Sequence, residues 1–501
     1  MLGVCMGGAG GFSGRLISLF QAAYADGMND CIMRLLAWAC LLLPVTGALA
    51  QVKLQEFQWE KAEGTVVEAM ACRDAPEQSY ALYLPARYSP ERRWPVIYAF
   101  DPGGKGARAV EADEAAAEKY GYIVAASNNS RNGPAQAELA AAQAVWRDTH
   151  ERFSIDANRV YTTGFSGGAK AATYFALYCA SCHVAGVIAQ GAGYPAINNS
   201  IAPANDHFAY YAVIGEEDFN FPEVMTLRKK KDEQGAQFKV EVYAGSHEWA
   251  PPAIAQDAIA WMELKAMQSG VEKVDAAFVQ RMFEQTRADA SQAKTVGDVL
   301  GQYYALRSLV WDFKGLEDVT SVQGELADVR ASAAWKKASR EEQGQIELQA
   351  SLTEKVSGEL GGLGAIDEDA QAGLAARIAS EMGNLRSMER SKGKDKVVES
   401  RAFAEVWMEG IEAGEEQFRL GRYGVAATYF SLMAEVAPDE PMPLVLLAEA
   451  KVRMGEKKQA LKALEEAARR GSLHAKTLTD DPELRPLASD PAFQEIVHRL
   501  P

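Results

Sequence analysis

The chemistry of this chain starts at a serine set among glycines. Gly164-Phe165-Ser166-Gly167-Gly168 reads G-x-S-x-G. The apolar run Val160-Tyr161-Thr162-Thr163 leads into it, and a helical pattern over residues 169–178 leads out. In such a strand–turn–helix setting the serine is held on a tight, strained elbow, with glycines where a Cβ would clash. The plainer reading of the same residues is a glycine-rich turn, suited at most to a phosphate. A serine hydroxyl is a weak nucleophile and needs a neighbouring base. His183, His207, His247, His474 and His498 follow Ser166. His247, in Ala244-Gly245-Ser246-His247-Glu248-Trp249, comes just after the last strand pattern and before a helix. A loop there reaches the carboxyl edge of a sheet, where the elbow also opens. His183 and His207 read as surface or packing residues, and His474 and His498 fall in a helical region.

Acyl transfer also needs donors already in place for the oxyanion. The backbone N–H of Gly167, the residue after the serine, is one. The loop Asp101-Pro102-Gly103-Gly104-Lys105-Gly106 is expected to supply the other. Pro102 has no N–H, which leaves Gly103 or Gly104. Losing one such donor typically costs about 3–4 kcal/mol of barrier. An acid should orient the imidazole and stabilise the imidazolium. Glu216, Glu217 and Asp218 follow an apolar strand pattern and are the candidates, with a helix cap as the structural alternative. Asn128 and Asn129, in a polar loop after another strand, and Trp249, beside His247, are candidate substrate contacts.

These side chains need a sheet to hold them. Short apolar runs at 65–69, 80–84, 95–100, 122–126, 159–164, 185–190, 210–214 and 238–243 read as strands, several buried on both faces. Helical patterns at 107–120, 135–153, 167–178, 222–234 and 252–267 lie between them. This alternation predicts an α/β domain, a mostly parallel sheet with helices on both faces, over 51–268. Beyond 268 strand patterns vanish. A helical linker region is expected over 269–400, with a break at Gly361-Gly362-Leu363-Gly364 and a soft point at 391–395. From 401 to 501 the spacing is helix–turn–helix, with one good repeat over 406–438 and a partial one over 441–471. Its small residues, the aromatic after the turn and the closing Pro438 resemble a tetratricopeptide repeat, which implies a protein partner or self-association.

At the other end, Met33-Arg34, an apolar run over 35–43, Pro44 and Ala48-Leu49-Ala50 have the layout of a secretory leader cleaved near Ala50, with Met33 as a candidate start. Export to the periplasm or medium follows as an expectation. The mature part keeps Cys72, Cys179 and Cys182, so one disulfide would leave one thiol over. A bridge from Cys72 to Cys179 or Cys182 is expected. Cys179-Ala180-Ser181-Cys182-His183 matches the haem c attachment pattern, but it falls just behind the elbow helix, where haem would displace packed structure. The chain is 48% hydrophobic and 24% charged, ordinary globular composition. Its net charge of −16 and lack of a long basic run argue against nucleic acid as a partner.

The stretch Ser79 to Pro85, the run Pro95 to Gly104, the elbow and the Gly-Ser-His loop resemble exported α/β-hydrolases. They are similar to polyhydroxybutyrate-depolymerase-like and feruloyl-esterase-like proteins and to prolyl-oligopeptidase-type domains, over about residues 65–268. The resemblance implies the chain order serine, acid, histidine. It also implies Asp218 as the acid, since Gly-x-x-Asp after that strand is usual in the fold, with Glu217 and Glu216 as alternatives. It implies cleavage of carboxylic esters of small or polymeric substrates through a serine acyl-enzyme, without a metal or cofactor; peptide bonds are the alternative. A departure lies at the oxyanion loop, where many relatives have His-Gly and this chain has Asp101-Pro102. A vestigial hydrolase used as a binding scaffold through its helical repeats is the third reading.

Overall fold

The computed structural model describes residues 62–195, 207–366, 368–389, 393, 395–471 and 473–501. The leader pattern at 33–50 lies outside the described residues. Eight strands form one sheet: β1 (Val66–Ala71), β2 (Ser79–Tyr83), β3 (Trp94–Phe100), β4 (Ile123–Ser127), β5 (Ile155–Phe165), β6 (Val184–Gln190), β7 (Ala209–Gly215) and β8 (Phe238–Tyr243). Their order is β1-β2-β4-β3-β5-β6-β7-β8. β2 runs antiparallel to β1 and β4, and every other pairing is parallel. With its elbow after β5, this is the α/β-hydrolase fold.

Five helices connect the strands: α1 (Gly106–Tyr120), α2 (Ala135–Arg152), α3 (Gly167–Tyr178), α4 (Phe221–Glu233) and α5 (Pro252–Gln268). The central strands are apolar throughout because both faces are covered: every residue of β3, β4 and β7 is buried. At the end of the sheet away from the elbow, Arg159 of β5 and the Tyr122 hydroxyl both bond Glu263 of α5, and Arg159 Nη1 reaches Glu272 Oε2 at 2.8 Å. Paired charges with shared hydrogen bonds can be buried there because none is left alone.

The all-helical remainder comprises α6 (Ala276–Val296), α7 (Val299–Asp312), α8 (Thr320–Ala331), α9 (Ala333–Leu363), α10 (Glu368–Glu389), α11 (Lys396–Arg419), α12 (Tyr423–Val436), α13 (Met442–Arg453), α14 (Lys457–Arg469), α15 (Ala475–Thr479) and α16 (Pro491–Arg499). α9 ends at the glycine break, with Gly364 as its cap. Gly421 and Gly455, both at positive φ, turn the chain between α11 and α12 and between α13 and α14. Gly410 and Gly414 of α11 let Met433 and Phe430 of α12 approach; a Cβ at either glycine would overlap those side chains. The helices also bind the α/β part directly. Arg307 Nε reaches Asp232 Oδ1 at 2.5 Å, and Arg228 Nη2 reaches Glu342 Oε1 at 2.5 Å. Among the described residues, no helix is long and apolar enough to cross a membrane.

One expectation is corrected here. The disulfide joins Cys179 to Cys182, and Cys72 is free and buried. A 3-10 turn over Ala180–Cys182 brings the two Cα atoms to 5.3 Å, so the bridge closes locally. Burial, helped by the charge of nearby Asp148, pushes the Cys72 thiol up to about 12.

Candidate active site

Ser166 is the single residue between β5 and α3, at φ 54° and ψ −123°. Few L-residues adopt such a backbone, at a cost of about 1–3 kcal/mol, and the surroundings must hold it. The Ser166 N–H donates to Gln190 O at 2.8 Å. A Cβ at Gly164 would strike the Gly168 carbonyl, and one at Gly168 would strike the Phe100 carbonyl. The glycine spacing is therefore a packing requirement of the turn.

The loops after β7 and β8 bring two further side chains to this elbow. His247 Nε2 lies 2.9 Å from Ser166 Oγ, and His247 Nδ1 lies 3.0 and 2.9 Å from Asp218 Oδ1 and Oδ2. A carboxylate against Nδ1 holds the ring proton there and leaves the Nε2 lone pair for the serine hydroxyl. Asp218 is buried, and Oδ1 also accepts from Asn220 N–H at 2.8 Å. Glu216 and Glu217 are exposed at the same turn, so Asp218 is the acid the geometry brings in. The imidazole packs against Phe165 and Phe219, with centroids 4.6 and 4.2 Å away. His183 and His207 are exposed, and neither hydrogen-bonds to this cluster.

The donor loop differs from expectation. Gly103 N–H donates to Asp101 Oδ1 at 2.8 Å, and Gly104 N–H donates to Asp101 O at 3.0 Å. Both amides are committed inside their own turn, because Asp101 is a buried acceptor. Gly167 keeps its place. As the first residue of α3, its N–H has no partner within the helix and points out of the positive end.

The polar loop is also reassigned. Asn128 Nδ2 donates to Glu68 O and Ser79 Oγ, while Asn129 accepts from Ser79 N–H and donates to Glu77 O. Both staple the sheet edge rather than face a substrate. Trp249 donates to Asp101 Oδ2 at 3.3 Å and packs on Phe165, supporting the donor loop from beneath. Three residues past Asn129, Asn132 lies in the site. Its N–H donates to Pro102 O at 2.8 Å, and its carboxamide occupies the space where a Gly167 Cβ would go.

Ser166, Gly167 and Asn132 open into a cavity of about 770 Å³. Its opposite wall is α11, which presents Glu405, Met408, Glu409, Glu412, Glu415 and Glu416. Their spacing of three and four residues puts them on one helical face. That periodicity was legible in the sequence; the surface it faces was not. From the α/β side, Glu138 and Glu223 line the cavity. Burial pushes Glu138 up to about 7, and raises Glu223 against the opposing charge of Lys170.

No protein-family model matches the chain, and no curated protein matches it. Among solved structures it is similar to a thermostable esterase, at 19% identity and TM-score 0.32, covering 39% of this chain and 61% of that one. The chain thus spans about three fifths of that esterase's length. It is similar to S-formylglutathione hydrolase (FrmB) from Staphylococcus aureus, at 14% identity and TM-score 0.31, covering 37% and 92%. It is also similar to an esterase of Pyrobaculum calidifontis, at 14% identity and TM-score 0.34, covering 40% and 85%. The strand order and the elbow after β5 define the fold.

Proposed function

We propose that the chain is a serine hydrolase that cleaves carboxylic esters through an acyl-enzyme on Ser166. The observation that carries this is the continuous hydrogen-bonded line Ser166 Oγ–His247–Asp218, with 2.9 Å at the serine and 2.9–3.0 Å at the carboxylate. Ser166 Oγ bonds to the acyl carbon as its proton passes to His247 Nε2, and the carbonyl electron pair moves onto oxygen. Asp218 stabilises the imidazolium. As the tetrahedral intermediate collapses, the C–O bond to the leaving group breaks and the alcohol takes the proton from Nε2. Water then repeats the sequence on the acyl-enzyme, losing a proton to His247, and the free acid leaves as Ser166 recovers its hydrogen.

The oxyanion is held by Gly167 N–H and by the Asn132 carboxamide, whose Oδ1 stands nearest Gly167 and whose Nδ2 takes that place after a half-turn of the amide. What supports Asn132 is the commitment of Gly103 and Gly104 to Asp101, together with its own contact with Gly167. On this reading the leader-like segment at 33–50 directs the enzyme to export, and the repeat-like helices from 401 supply a wall of the site. A fluorophosphonate probe tests the proposal: it should label Ser166 in the folded protein and fail on Ser166→Ala. A folded wild type that takes no label would overturn it.

A further inference from the structure

The cavity over Ser166 is walled mainly by negative charge. Seven carboxylates line it, five of them from α11, against two cations, Lys170 and Arg419. Both cations are already engaged. Lys170 Nζ lies 3.5 Å from Glu223 Oε2, and Arg419 Nη2 lies 2.5 Å from Glu416 Oε2. Glu405 accepts from Gln349 Nε2 at 2.7 Å. Glu409, Glu412 and Glu415 are left with no ion pair among the described residues. Glu412 feels the charges of Lys170, Glu409, His247 and Arg419, which sets the row beside the reacting group. A row of glutamates on a solvated helix is ordinary; this row faces the cavity into which a base-paired serine hydroxyl opens, and that hydroxyl is what requires a ligand there.

The row is also rigidly held. Arg401 Nε donates to Glu216 O at 2.6 Å, and Gln349 Nε2 donates to Phe219 O at 2.9 Å. Arg419 Nη1 reaches Asn132 O at 3.4 Å. Gln349, the donor to Glu405, is 1% exposed. Burial raises Glu415 and Glu405 above the usual carboxylate range. Confining carboxylates costs free energy that an incoming cation offsets, while an anionic substrate is repelled. The net charge of −16 steers in the same direction.

We propose that this site selects acyl substrates carrying a positive charge, an ammonium or guanidinium group held by Glu409, Glu412 and Glu415 while the scissile carbonyl rests at Ser166. The proposal rests on Ser166 being the nucleophile. It makes α11 a specificity-determining element of the site, contributed from beyond the hydrolase fold.

Three matched esters test it: 4-nitrophenyl 4-(trimethylammonio)butanoate, its neutral carbon isostere 4-nitrophenyl 5,5-dimethylhexanoate, and the anionic mono-4-nitrophenyl glutarate. In wild type at low salt, kcat/KM for the cationic ester should exceed that of the isostere by about tenfold or more, and the glutarate should be poorest. That ratio should fall toward unity in about 0.5 M salt, where screening is short-ranged. It should fall likewise in the Glu409→Gln/Glu412→Gln/Glu415→Gln variant. The salt series on wild type and the single variants Glu412→Gln and Glu415→Gln give the same readout if the triple variant does not fold. A ratio of one or less in wild type that turns over the neutral ester overturns the charge selection and leaves the Ser166 reading standing. Absence of both turnover and fluorophosphonate labelling overturns the two together.

Discussion

Arg401 of α11 donates from Nε to the carbonyl of Glu216 at 2.6 Å, so a side chain 185 residues downstream fixes the turn that presents Asp218. The guanidinium is buried over the Phe221 ring, 3.7 Å from its centroid, and burial pulls it down to about 10, still charged at neutral pH. Arg401→Ala should therefore lower kcat by about tenfold with little change in KM for a neutral ester, and Arg401→Lys should recover part of the loss. In an Asp218→Asn background the same change should add almost nothing, because both act through one turn. An additive loss would show that Arg401 acts elsewhere.

Asp218→Asn itself should leave the fold intact and reduce kcat by about 10⁴, since the amide favours the wrong imidazole tautomer. Glu217→Gln, at an exposed side chain of the same turn, should leave kcat within a factor of two or so. Steady-state kinetics on the two purified variants separates the acids.

Asn132 and Asn128 should behave oppositely. Asn132→Ala is expected to cost about 10²–10³ in kcat, the usual value of one oxyanion donor, without a matching loss of stability. Asn128→Ala removes bonds at 3.1 and 3.2 Å that tie β4 to β1 and β2. It should cost about 1–2 kcal/mol of stability and leave kcat unchanged. Denaturant melts and turnover on both variants decide the matter.

Asp113 of α1 is buried with neither carboxyl oxygen hydrogen-bonded, and burial pushes it up to about 7. Its folded pKa lies above its unfolded one. Stability from this group is therefore whole below about pH 4 and is lost as pH rises to about 7. Asp113→Asn removes that ionisation. The unfolding free energy of the variant should gain on wild type between about pH 4 and pH 8, by on the order of 4 kcal/mol. A gap that does not change with pH would refute the assignment.

The thiol of Cys72 is buried, and its pKa, pushed up to about 12, leaves almost no thiolate at neutral pH. Iodoacetamide should leave Cys72 unmodified in the native protein and modify it after unfolding. Non-reducing peptide mapping should recover Cys179 joined to Cys182.

Local information was enough for the elements. All eight strand patterns and all five connecting helices recur in the structure within a few residues, the largest difference being the earlier start of β5 at Ile155. Strand burial, glycine turns and proline stops act over a few residues, and so does the elbow, whose glycines answer to contacts within one turn. What sequence spacing did not reveal was which groups were already spent. Gly103 and Gly104 looked like free donors until Asp101 folded back onto them, and Asn128 and Asn129 looked like site residues until β1 and β2 claimed them. Cys72 stays free and buried, while Cys179 and Cys182 close a bridge across three residues.

The sequence alone determined the strands, the helices between them and the glycine-flanked elbow, because period and short-range sterics are written residue by residue. Tertiary structure alone decided that α11, some 240 residues beyond Ser166, walls the cavity with glutamates and grips the Asp218 turn. A helix's amphipathic pattern records that it has a face, but only packing of the whole chain settles what that face meets.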